Sequence, residues 1–505
     1  MTLIIPGVEV SVVKDVLAPQ LSPSGVLGLI GLCEKDLEPR TYRVASWNSF
    51  IETFGAASAF SMPEAAQALA NGVFELVVSP LKNSAAKSAA VELTMTTAAV
   101  KVADKVADKG ADKAADKAAE AGAKSATVAL TMTTKDDKPK DVALTLTARA
   151  AGTWANGLTV NIKSREAQGS ENAQVSVFDL EIQIPGSKDV ELLRNLSAKP
   201  ADPRYVVKVV NAESKIATAV AASGESATMT RPKLGSQISF AGGSECGSIN
   251  YDAPLALLAN EPDVDMVLAV VRSSSADDYT SVYAKVISHC NLMSAKGHGR
   301  LGFGEVPAGD LKATVEAMIG PLISERFVLL APGGVVGAVA GMVASLDYFQ
   351  SPTFKRIAGI AKLSSDLGVE LQQQLLVLNT VPVINQRGRG LIVLRGLTTD
   401  GDQISVRRVA DRAVRGVKMI GELFIGRLNN EQGRGALKQK MVEFLVQMEK
   451  DGAIVPKQDD KDSTAFQVNV YSSQADFAQG IVRVDLAVRP VRAIDYIYAT
   501  VVVQV

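Results

Sequence analysis

The chain has 505 residues, which is too many for one ordinary hydrophobic core and predicts two to four domains. Apolar residues make up 47% of it and charged residues 21%, so it can bury substantial cores and is not globally disordered. The 53 Lys and Arg residues are balanced by 54 Asp and Glu residues. This balance argues against nucleic-acid binding, which needs a basic excess, and suits a subunit that associates with others.

The sequence shows no sign of export, membrane insertion or disulfide bonding. It begins MTLIIPGVEV, with no basic segment before an apolar core and no small-residue cleavage site. No apolar run approaches the ~20 residues that span a bilayer. Cys33, Cys246 and Cys290 are far apart and share no metal-ligand spacing. We therefore expect reduced thiols, synthesis in the cytoplasm and no direct membrane insertion.

The beginning of the chain, residues 1–25, predicts an edge strand followed by a linker. Residues 1–12 alternate with the period of two that is typical of a strand, and Pro6 confines this strand to an edge or a bulge because proline cannot donate a ladder hydrogen bond. Residues 18–25 (APQLSPSG) predict the linker. The apolar side chains of the predicted strand include Ile4, Ile5, Val8 and Val10.

Two separated stretches, residues 26–80 and 241–378, alternate predicted strands with predicted helices. The predicted strands are 26–33, 74–78, 266–271 and 327–331, and the predicted helices are 46–54, 63–71, 253–259, 279–293 and 311–325. Ser46 is a favourable helix cap, and Pro63 is favourable in a first helical turn. The alternation predicts one central α/β domain with helices on a sheet.

The stretch between them, residues 81–240, predicts a β-rich domain. Short alternating segments such as 158–162 and 175–184 suggest a β-sandwich. Residues 98–125 contain a four-residue repeat of Ala, Asp and Lys, and a period of four rotates by roughly 40° per repeat around a helix, so no fixed apolar face results. We predict that this insertion is an exposed Ala-rich helix or is partly disordered. Similar strand-like phrases at 91–97, 128–134 and 142–147 suggest a local hairpin duplication.

The last part, residues 379–505, predicts a domain that mixes strands with one amphipathic helix at 434–450. The spacing i, i+4, i+7, i+8, i+11 gives that helix an apolar face, and Gly452 ends it. The apolar residues are Leu437, Met441, Phe444, Leu445 and Met448, and the polar side carries Lys438, Lys440, Glu443 and Glu449.

The chain ends in a predicted strand, Ala493–Val505, with almost no charge after Asp495. A long apolar strand is an aggregation hazard unless something pairs with it. Either it closes the protein's own sheet or it is donated to a neighbouring subunit, and the similar strand at the other end of the chain favours donation. The residues concerned are Ile494, Tyr496, Ile497, Tyr498, Val501 and Val503.

Residues that could perform catalysis or bind a cofactor are scarce. There are two histidines: His289 lies late in a predicted helix, where the helix C-terminus favours it, and His298 lies between two glycines. Gly297–Gly302 (GHGRLG) matches G-x-G-x-x-G but follows a helix, the reverse of a dinucleotide site. No nucleophile elbow, phosphate loop or H-E-x-x-H occurs. We predict no enzyme activity, no cofactor and no metal.

The arginine-rich stretch 386–395 and the pair Arg407–Arg408 could suggest RNA binding. However, no aromatic residues interleave for base stacking, and aspartates at 400, 402 and 411 lie nearby in the sequence. Ion pairs within or between subunits are therefore the preferred interpretation, and we expect no nucleic-acid partner.

Several phrases, in order along the chain, resemble the contractile tail sheath family of phages, tailocins and extracellular injection systems. The family's W-G-x-R-T phrase is reduced here to LRGLTT, and the Ala/Asp/Lys insertion has no obvious counterpart in the family, so the subfamily stays open. The similar phrases are AGTWANGLTV (151–160), ELLRNLSAKPADPRYVVKVVNAES (191–214), AGGS (241–244), the stretch 337–354 with AGMVASLD and SPTF, GRGLIVLRGLTT (388–399), ISVRRVAD (404–411) and 480–505.

The resemblance implies a multidomain α+β subunit. It has an inner domain from both chain ends (1–25 and 379–505), a central α/β domain (26–80 and 241–378) and an outer β-sandwich domain (81–240). Such subunits exchange terminal strands and polymerise helically, in hexameric rings, around an inner tube protein, with baseplate and terminator or cap proteins as further partners. The helix 434–450 is then a tube-facing candidate. The resemblance also implies synthesis in the bacterial cytoplasm and assembly in a virion tail or a released injection particle.

Two other classes of protein stay open as alternatives. A hydrolase-like enzyme could be built on the central α/β domain, although the missing nucleophile elbow and the few histidines argue against it. A non-contractile structural shell protein would also account for two terminal strands, but not for the ordered internal phrases.

Overall fold

A computed structural model of the chain combines several sheets with helices. It describes residues 25–81, 88–97, 142–165, 177–183, 190–198, 200–221, 229–232, 238–244, 249–273, 275–457 and 463–498. The predicted N-terminal strand with Ile4, Ile5, Val8 and Val10, the insertion 98–125, and Val501 and Val503 lie outside the described residues. The mixed α/β class is confirmed.

The first described stretch opens with a buried strand and three helices. Its elements are β1 (Val26–Leu32), β2 (Tyr42–Val44), α1 (Trp47–Phe54), α2 (Ser58–Ser61), α3 (Pro63–Ala70) and β3 (Glu75–Leu81). As predicted, the Ser46 side chain caps α1 by accepting from Ser49 N, and Pro63 is in the first turn of α3. All seven residues of β1 are buried, which is why this strand is a continuous apolar run in the sequence.

The described residues between 88 and 244 form the double-sheet region. Two four-stranded antiparallel sheets, β10-β4-β5-β9 and β11-β6-β7-β8, share one apolar core that includes Leu146, Leu180 and Val209. The elements are β4 (Ala90–Thr97), β5 (Val142–Ala148), the 3₁₀ turn Thr153–Ala155, β6 (Thr159–Arg165), β7 (Val177–Gln183), β8 (Val190–Leu196), α4 (Val206–Glu213), β9 (Ala217–Ala221), β10 (Met229–Pro232) and β11 (Ile238–Ser239).

The third stretch returns to the sheet that β1 began. Its elements are α5 (Asp252–Leu258), β12 (Met266–Ala269), α6 (Ala276–Ala295), β13 (Leu301–Glu305), α7 (Leu311–Leu322), β14 (Phe327–Ala331), α8 (Val336–Ser345), α9 (Val369–Val377), β15 (Val381–Gln386) and β16 (Gly390–Val393). The predicted helix 311–325 is correct in type but ends three residues later than α7 does.

The central sheet has eight strands in the order β16-β15-β14-β13-β12-β1-β3-β2. The six inner strands run parallel, and the two edge strands, β2 and β16, run antiparallel to their neighbours. Helices α1, α3 and α8 cover one face, and α5, α6, α7 and α9 cover the other. The crossing of α3 and α8 is so close that it requires glycine at position 341, since a Cβ there would meet Ala68 O at 2.4 Å.

A cluster of buried charges lies at one end of the central sheet, where β12 and β13 finish. Arg272 Nη2 donates to both carboxylate oxygens of Glu64, at 2.6 and 2.8 Å, and Glu305 Oε2 accepts from Gly334 N at 2.7 Å. Tyr283 on α6 donates its hydroxyl to Glu305 O at 3.1 Å. Burial and the Glu64 carboxylate raise the pKa of Glu305 to about 7, although Arg272 acts in the opposite direction.

The last described stretch forms the C-terminal region, residues 404–498. Its elements are α10 (Ile404–Glu422), α11 (Glu431–Lys450), β17 (Phe466–Tyr471), α12 (Gln474–Ala478) and β18 (Arg483–Val488). β17 and β18 pair with each other as an antiparallel hairpin that packs one face on α11. α10 contacts the central sheet through ion pairs from Arg326 to Asp411 and from Arg415 to Asp265.

Of the two long helices of this region, one was predicted from the sequence and the other was not. The predicted helix 434–450 is confirmed as α11: Leu437, Met441, Leu445 and Met448 are buried, and Gly452 follows with a φ of +76°. The prediction of one amphipathic helix was wrong, because α10 is a second one. Its buried residues 409, 413, 416 and 420 have the spacing i, i+4, i+7, i+11, but the arginines between them interrupt the apolar pattern in the sequence.

Candidate assembly surface

No constellation for catalysis or metal binding occurs in the part of the chain that the structure describes. There, no group of three or more His, Cys, Asp or Glu side chains could hold a metal ion. As predicted, the segment Gly297–Gly302 follows a helix: its first four residues connect α6 to β13, and Leu301 and Gly302 begin β13. None of the described helices is both long enough and apolar enough to cross a membrane.

The interpretation of His289 as a residue favoured by the helix C-terminus was wrong. That effect needs a protonated imidazole. His289 is buried, and its Nε2 lies 2.7 Å from Arg300 Nη1. Burial, with the Arg300 charge, lowers the pKa of His289 to about 4, so the imidazole is neutral and accepts a hydrogen bond from the guanidinium. The hydrogen-bond partner of His289 is a buried arginine outside α6, and no local sequence pattern predicts this contact.

Three of the arginines between residues 386 and 408, namely Arg395, Arg407 and Arg408, make polar contacts within the protein. Arg395 Nε pairs with Asp495 Oδ2 at 2.9 Å, and Arg407 pairs with Asp411 and Glu325 at 3.2 and 2.9 Å. Arg408 instead donates to the carbonyls of Leu346 and Asp347, just beyond α8. For Arg395 and Arg407 the ion-pair prediction is therefore confirmed.

The hairpin of β17 and β18 is an incomplete sheet. Each strand has six residues, and along both strands half-buried and exposed side chains alternate. Within the described residues neither strand has a second strand neighbour. Each outer edge therefore presents backbone N–H and C=O groups that another strand could pair with.

The terminal segment, residues 489–498, leaves this hairpin without returning to it. The predicted strand from Ala493 is wrong for the described residues 493–498, which are in no strand pair. A strand needs a hydrogen-bonded neighbour, and the sequence could not show that the described residues provide none for this segment. The apolar side chains here are exposed, by 79% for Ile494, 64% for Tyr496, 83% for Ile497 and 94% for Tyr498.

Four exposed apolar side chains so close together are unusual on a protein that works alone. A soluble monomer rarely exposes a contiguous apolar patch unless the patch binds something. Burying each of these side chains would contribute about 1.5–3 kcal/mol. Together they could offset a large part of the association cost, which is estimated at about 4–15 kcal/mol.

The polar residues of α11 do not form one patch. At about 100° per residue, Lys438 and Glu449 lie on one flank of the buried stripe, and Lys440 and Glu443 lie on the other. Lys440 Nζ and Glu443 Oε2 are 3.0 Å apart and already form an ion pair. The structure thus brings together two of the four tube-facing candidates.

A groove that the sequence did not indicate lies beside α11. It has a volume of about 440 Å³ between the end of α10, the start of α11 and β18. Phe424, Leu437 and Val484 line it, and Ile425 and Leu428 at its rim are each 80% exposed. Both rim residues follow the amphipathic stretch of α10, so recognising that helix would have drawn attention to the loop after it.

Comparison with known proteins gives a consistent result. Residues 398–504 match the model of the phage tail sheath C-terminal domain. The chain is also similar to the sheath of the extracellular contractile injection system PVC in its contracted state, with 10% identity, a TM-score of 0.52 and coverage of 99% of this chain and 98% of that one. No match to the chain was found among curated proteins.

Two further solved structures are similar to the chain. The helical sheath of the anti-feeding prophage in its contracted state is 12% identical, with a TM-score of 0.50 and coverage of 99% of both chains. The sheath tail protein from Listeria innocua is 14% identical, with a TM-score of 0.49 and coverage of 94% of both chains. Residues 398–504 therefore belong to the phage tail sheath C-terminal domain family, and the chain as a whole has the fold of tail sheath proteins.

Proposed function

We propose that this chain is the structural subunit of a contractile tail sheath. It polymerises helically around an inner tube and contracts to drive that tube through a target envelope. The observation that carries the proposal is that one region of the subunit contains both a hairpin with unpaired edges and a segment without a strand partner, among the described residues. The hairpin of β17 and β18 has free edges, and the terminal segment exposes Ile494, Tyr496, Ile497 and Tyr498 without a strand partner in the described chain.

Strand exchange is the mechanism that these two parts support. The terminal strand of one subunit adds to the hairpin of a neighbour, and the N-terminal strand with Ile4, Ile5, Val8 and Val10 adds to another. Main-chain hydrogen bonds then give links that depend little on side-chain identity. Subunits joined in this way stay connected while the lattice shortens.

The domain arrangement that fits this function has three layers. Residues 1–25 and 404–505 form the inner domain next to the tube, and 81–240 form the outer domain. The central domain consists of 26–80 and 241–403, and not of 26–80 and 241–378, because β15 and β16 are strands of the central sheet. α11 is the tube-facing candidate, with Lys438, Lys440, Glu443 and Glu449 making screenable contacts. Weak contacts of this kind allow the tube to be released when the sheath expands.

The energy for contraction is stored when the sheath assembles, in an extended lattice that is less stable than the contracted one. Contraction is then a shift between two arrangements of the same interfaces. No nucleotide-hydrolysis step is needed within the subunit. The tube protein, the baseplate and a terminator or cap protein are the proposed partners, and nothing in the described residues favours the enzyme alternative.

Electron microscopy of the chain expressed alone tests this proposal. We expect hollow helical tubes in high-speed pellets, and a chain that stays monomeric at high concentration would contradict the proposal. Deleting residues 494–505 should abolish the tubes while the subunit stays folded by circular dichroism. Deleting 98–125, a larger deletion in the insertion, is the matched control and should leave the tubes intact.

A further inference from the structure

The terminal segment is held at its root, at Ala493 and Asp495. Gln403 Oε1 accepts from Ala493 N at 2.9 Å, and Gln403 Nε2 donates to Ala493 O at 3.0 Å and to Asp495 Oδ2 at 2.9 Å. Arg395 Nε donates to the same Asp495 oxygen at 2.9 Å, and its guanidinium lies 5.2 Å from the centre of the Tyr496 ring. The two side chains therefore hold the segment at three positions: the backbone of Ala493, the carboxylate of Asp495 and the ring of Tyr496.

The contacts of Gln403 and Asp495 are largely shielded from water. Gln403 is 5% exposed, and the side chains of Asp495 and Arg395 are 7% and 27% exposed. A buried glutamine amide that satisfies both the N–H and the C=O of one residue fixes the backbone there as a strand neighbour would. The ion pair is partly desolvated, so solvent screens it less than it screens an exposed pair.

The loop that carries Arg395 and Gln403 is itself fixed to the central sheet. Thr399 N donates to Phe327 O at 2.8 Å, and Thr399 Oγ1 donates to Leu322 O at 2.6 Å. Gly396 N donates to Thr353 Oγ1 at 3.1 Å. The grip on the terminal segment therefore comes from the rigid part of the subunit and not from the hairpin.

The grip also determines where the segment can go. From Arg489 the chain bonds to residues beyond α11, with Val491 N donating to Ala453 O at 3.0 Å, and it then runs to Gln403 and Arg395. Pairing with its own hairpin would require a reversal between Val488 and Asp495, in the residues that these contacts hold extended. Within the held part the side chains alternate, with Ile494 79% exposed and the Asp495 side chain 7% exposed, and beyond Asp495 the exposure reaches 83% at Ile497.

We propose that Arg395 and Gln403 act as a clamp that keeps the terminal segment off its own hairpin and directs it to a neighbouring subunit. The inference rests on the proposed strand exchange and deepens it by naming the positioning residues. Without the clamp, the subunit's own hairpin competes for the strand. An intramolecular partner on a short tether has an effective concentration of about 1 mM, which free neighbours rarely reach.

Cysteine cross-linking of the full chain tests the clamp separately from strand exchange. Tyr498→Cys marks the donated segment, and Asn469→Cys on β17 or Asp485→Cys on β18 marks either hairpin edge. Two of the three native thiols interfere little, because burial raises the pKa of Cys33 and of Cys290 to about 12 and so suppresses the reactive thiolates. A chain with only its three native cysteines gives the background.

The first sample mixes chains that carry Tyr498→Cys alone with chains that carry one edge cysteine alone. A cross-linked dimer at either edge, on a non-reducing gel, supports strand exchange. No dimer at either edge in assembled material would overturn the proposed function, whatever the clamp does.

The second sample uses chains that carry both cysteines and compares interchain with intrachain cross-links. With the clamp intact, interchain products should dominate. In Arg395→Ala/Gln403→Ala chains the ratio of interchain to intrachain products should fall by about tenfold or more. The terminal segment then pairs with the hairpin of its own chain, which has the higher effective concentration. The charge swap Arg395→Asp/Asp495→Arg keeps an ion pair at this place, so its ratio should be higher than that of the Arg395→Ala/Gln403→Ala chains.

Arg492→Ala is the matched control, because it removes only an exposed ion pair to Asp402 from the same segment. It should leave the ratio unchanged. A ratio in the Arg395→Ala/Gln403→Ala chains equal to that of the control would overturn the clamp while leaving strand exchange standing. Thermal unfolding of the same chains shows that the subunits are folded when the ratio is measured.

Discussion

The central sheet and the C-terminal hairpin differ in how open their edges are to pairing with another strand. The eight-stranded sheet ends in short antiparallel strands, of three residues in β2 and four in β16, and helices cover both of its faces. The two-stranded hairpin has one face on α11, and both of its six-residue strands have free edges within the described chain. Edges of the first kind discourage further pairing, and edges of the second kind invite it.

This difference implies that one part of the subunit determines its stability and another part determines its assembly. The large buried cores belong to the central sheet, so substitutions there should unfold the isolated subunit. In the terminal segment the side chains of Ile494, Tyr496, Ile497 and Tyr498 are exposed, so substitutions of these four residues should leave the isolated subunit unchanged and affect only the assembled state. The predictions below test this division.

The largest expected effect comes from a core truncation. Phe303 in β13 is fully buried, and Phe303→Ala should lower the free energy of unfolding of the isolated subunit by about 3–5 kcal/mol, because it removes apolar contact and leaves a cavity. Ile497→Ala should change it by less than about 0.5 kcal/mol. Urea unfolding of unassembled protein measures both, and equal losses would contradict the division.

The next effect is a pH dependence at the buried charge cluster. The folded pKa of Glu305, about 7, lies above its ordinary value of 4.5, so its contribution to stability is full below pH 4.5 and is lost as the pH rises to about 7. The loss amounts to at most about 3 kcal/mol. The facing groups are Glu64 on α3, Arg272 after β12, Tyr279 and Tyr283 on α6, and the first amides of α8.

The variant Glu305→Gln isolates this effect, because a glutamine oxygen can still accept from Gly334 N. His289 contributes with the opposite sign: its pKa is lowered to about 4, so its contribution is full above pH 6.5 and is lost as the pH falls. Only the difference between wild type and variant therefore reports on Glu305. We expect the stability of the variant, relative to wild type, to rise between pH 4.5 and 7, and a flat difference would contradict the assignment.

The smallest effect compares two helical glycines. Gly341→Ala should destabilise the subunit by about 1–3 kcal/mol, because the new Cβ would meet Ala68 O at 2.4 Å at the crossing of α3 and α8. Gly435→Ala in α11 meets nothing within 4 Å and should stabilise by about 0.5–1 kcal/mol. Thermal unfolding of both variants gives the two signs, and matching signs would show that the crossing is less tight than the structure indicates.

Local patterns predicted much of the fold but little of the assembly surface. Buried strands such as β1 and β14 are continuous apolar runs, and α11 has a clear helical stripe, so all three were predicted. Contacts between distant segments were not: Gln403 grips Ala493 from 90 residues away, and Arg272 meets Glu64 across 208 residues. The sequence also predicted a strand after Ala493, and only the fold shows that the subunit offers 493–498 no strand partner among the described residues.

A structure of the assembled particle tests the central claim most directly. We predict that the hairpin of β17 and β18 gains at least one strand from another subunit, with Ile497 and Tyr498 of the donor buried against it and Asp495 of the donor still held by its own Arg395. A hairpin with bare edges in the assembly, or one that pairs with the terminal segment of its own chain, would contradict the account.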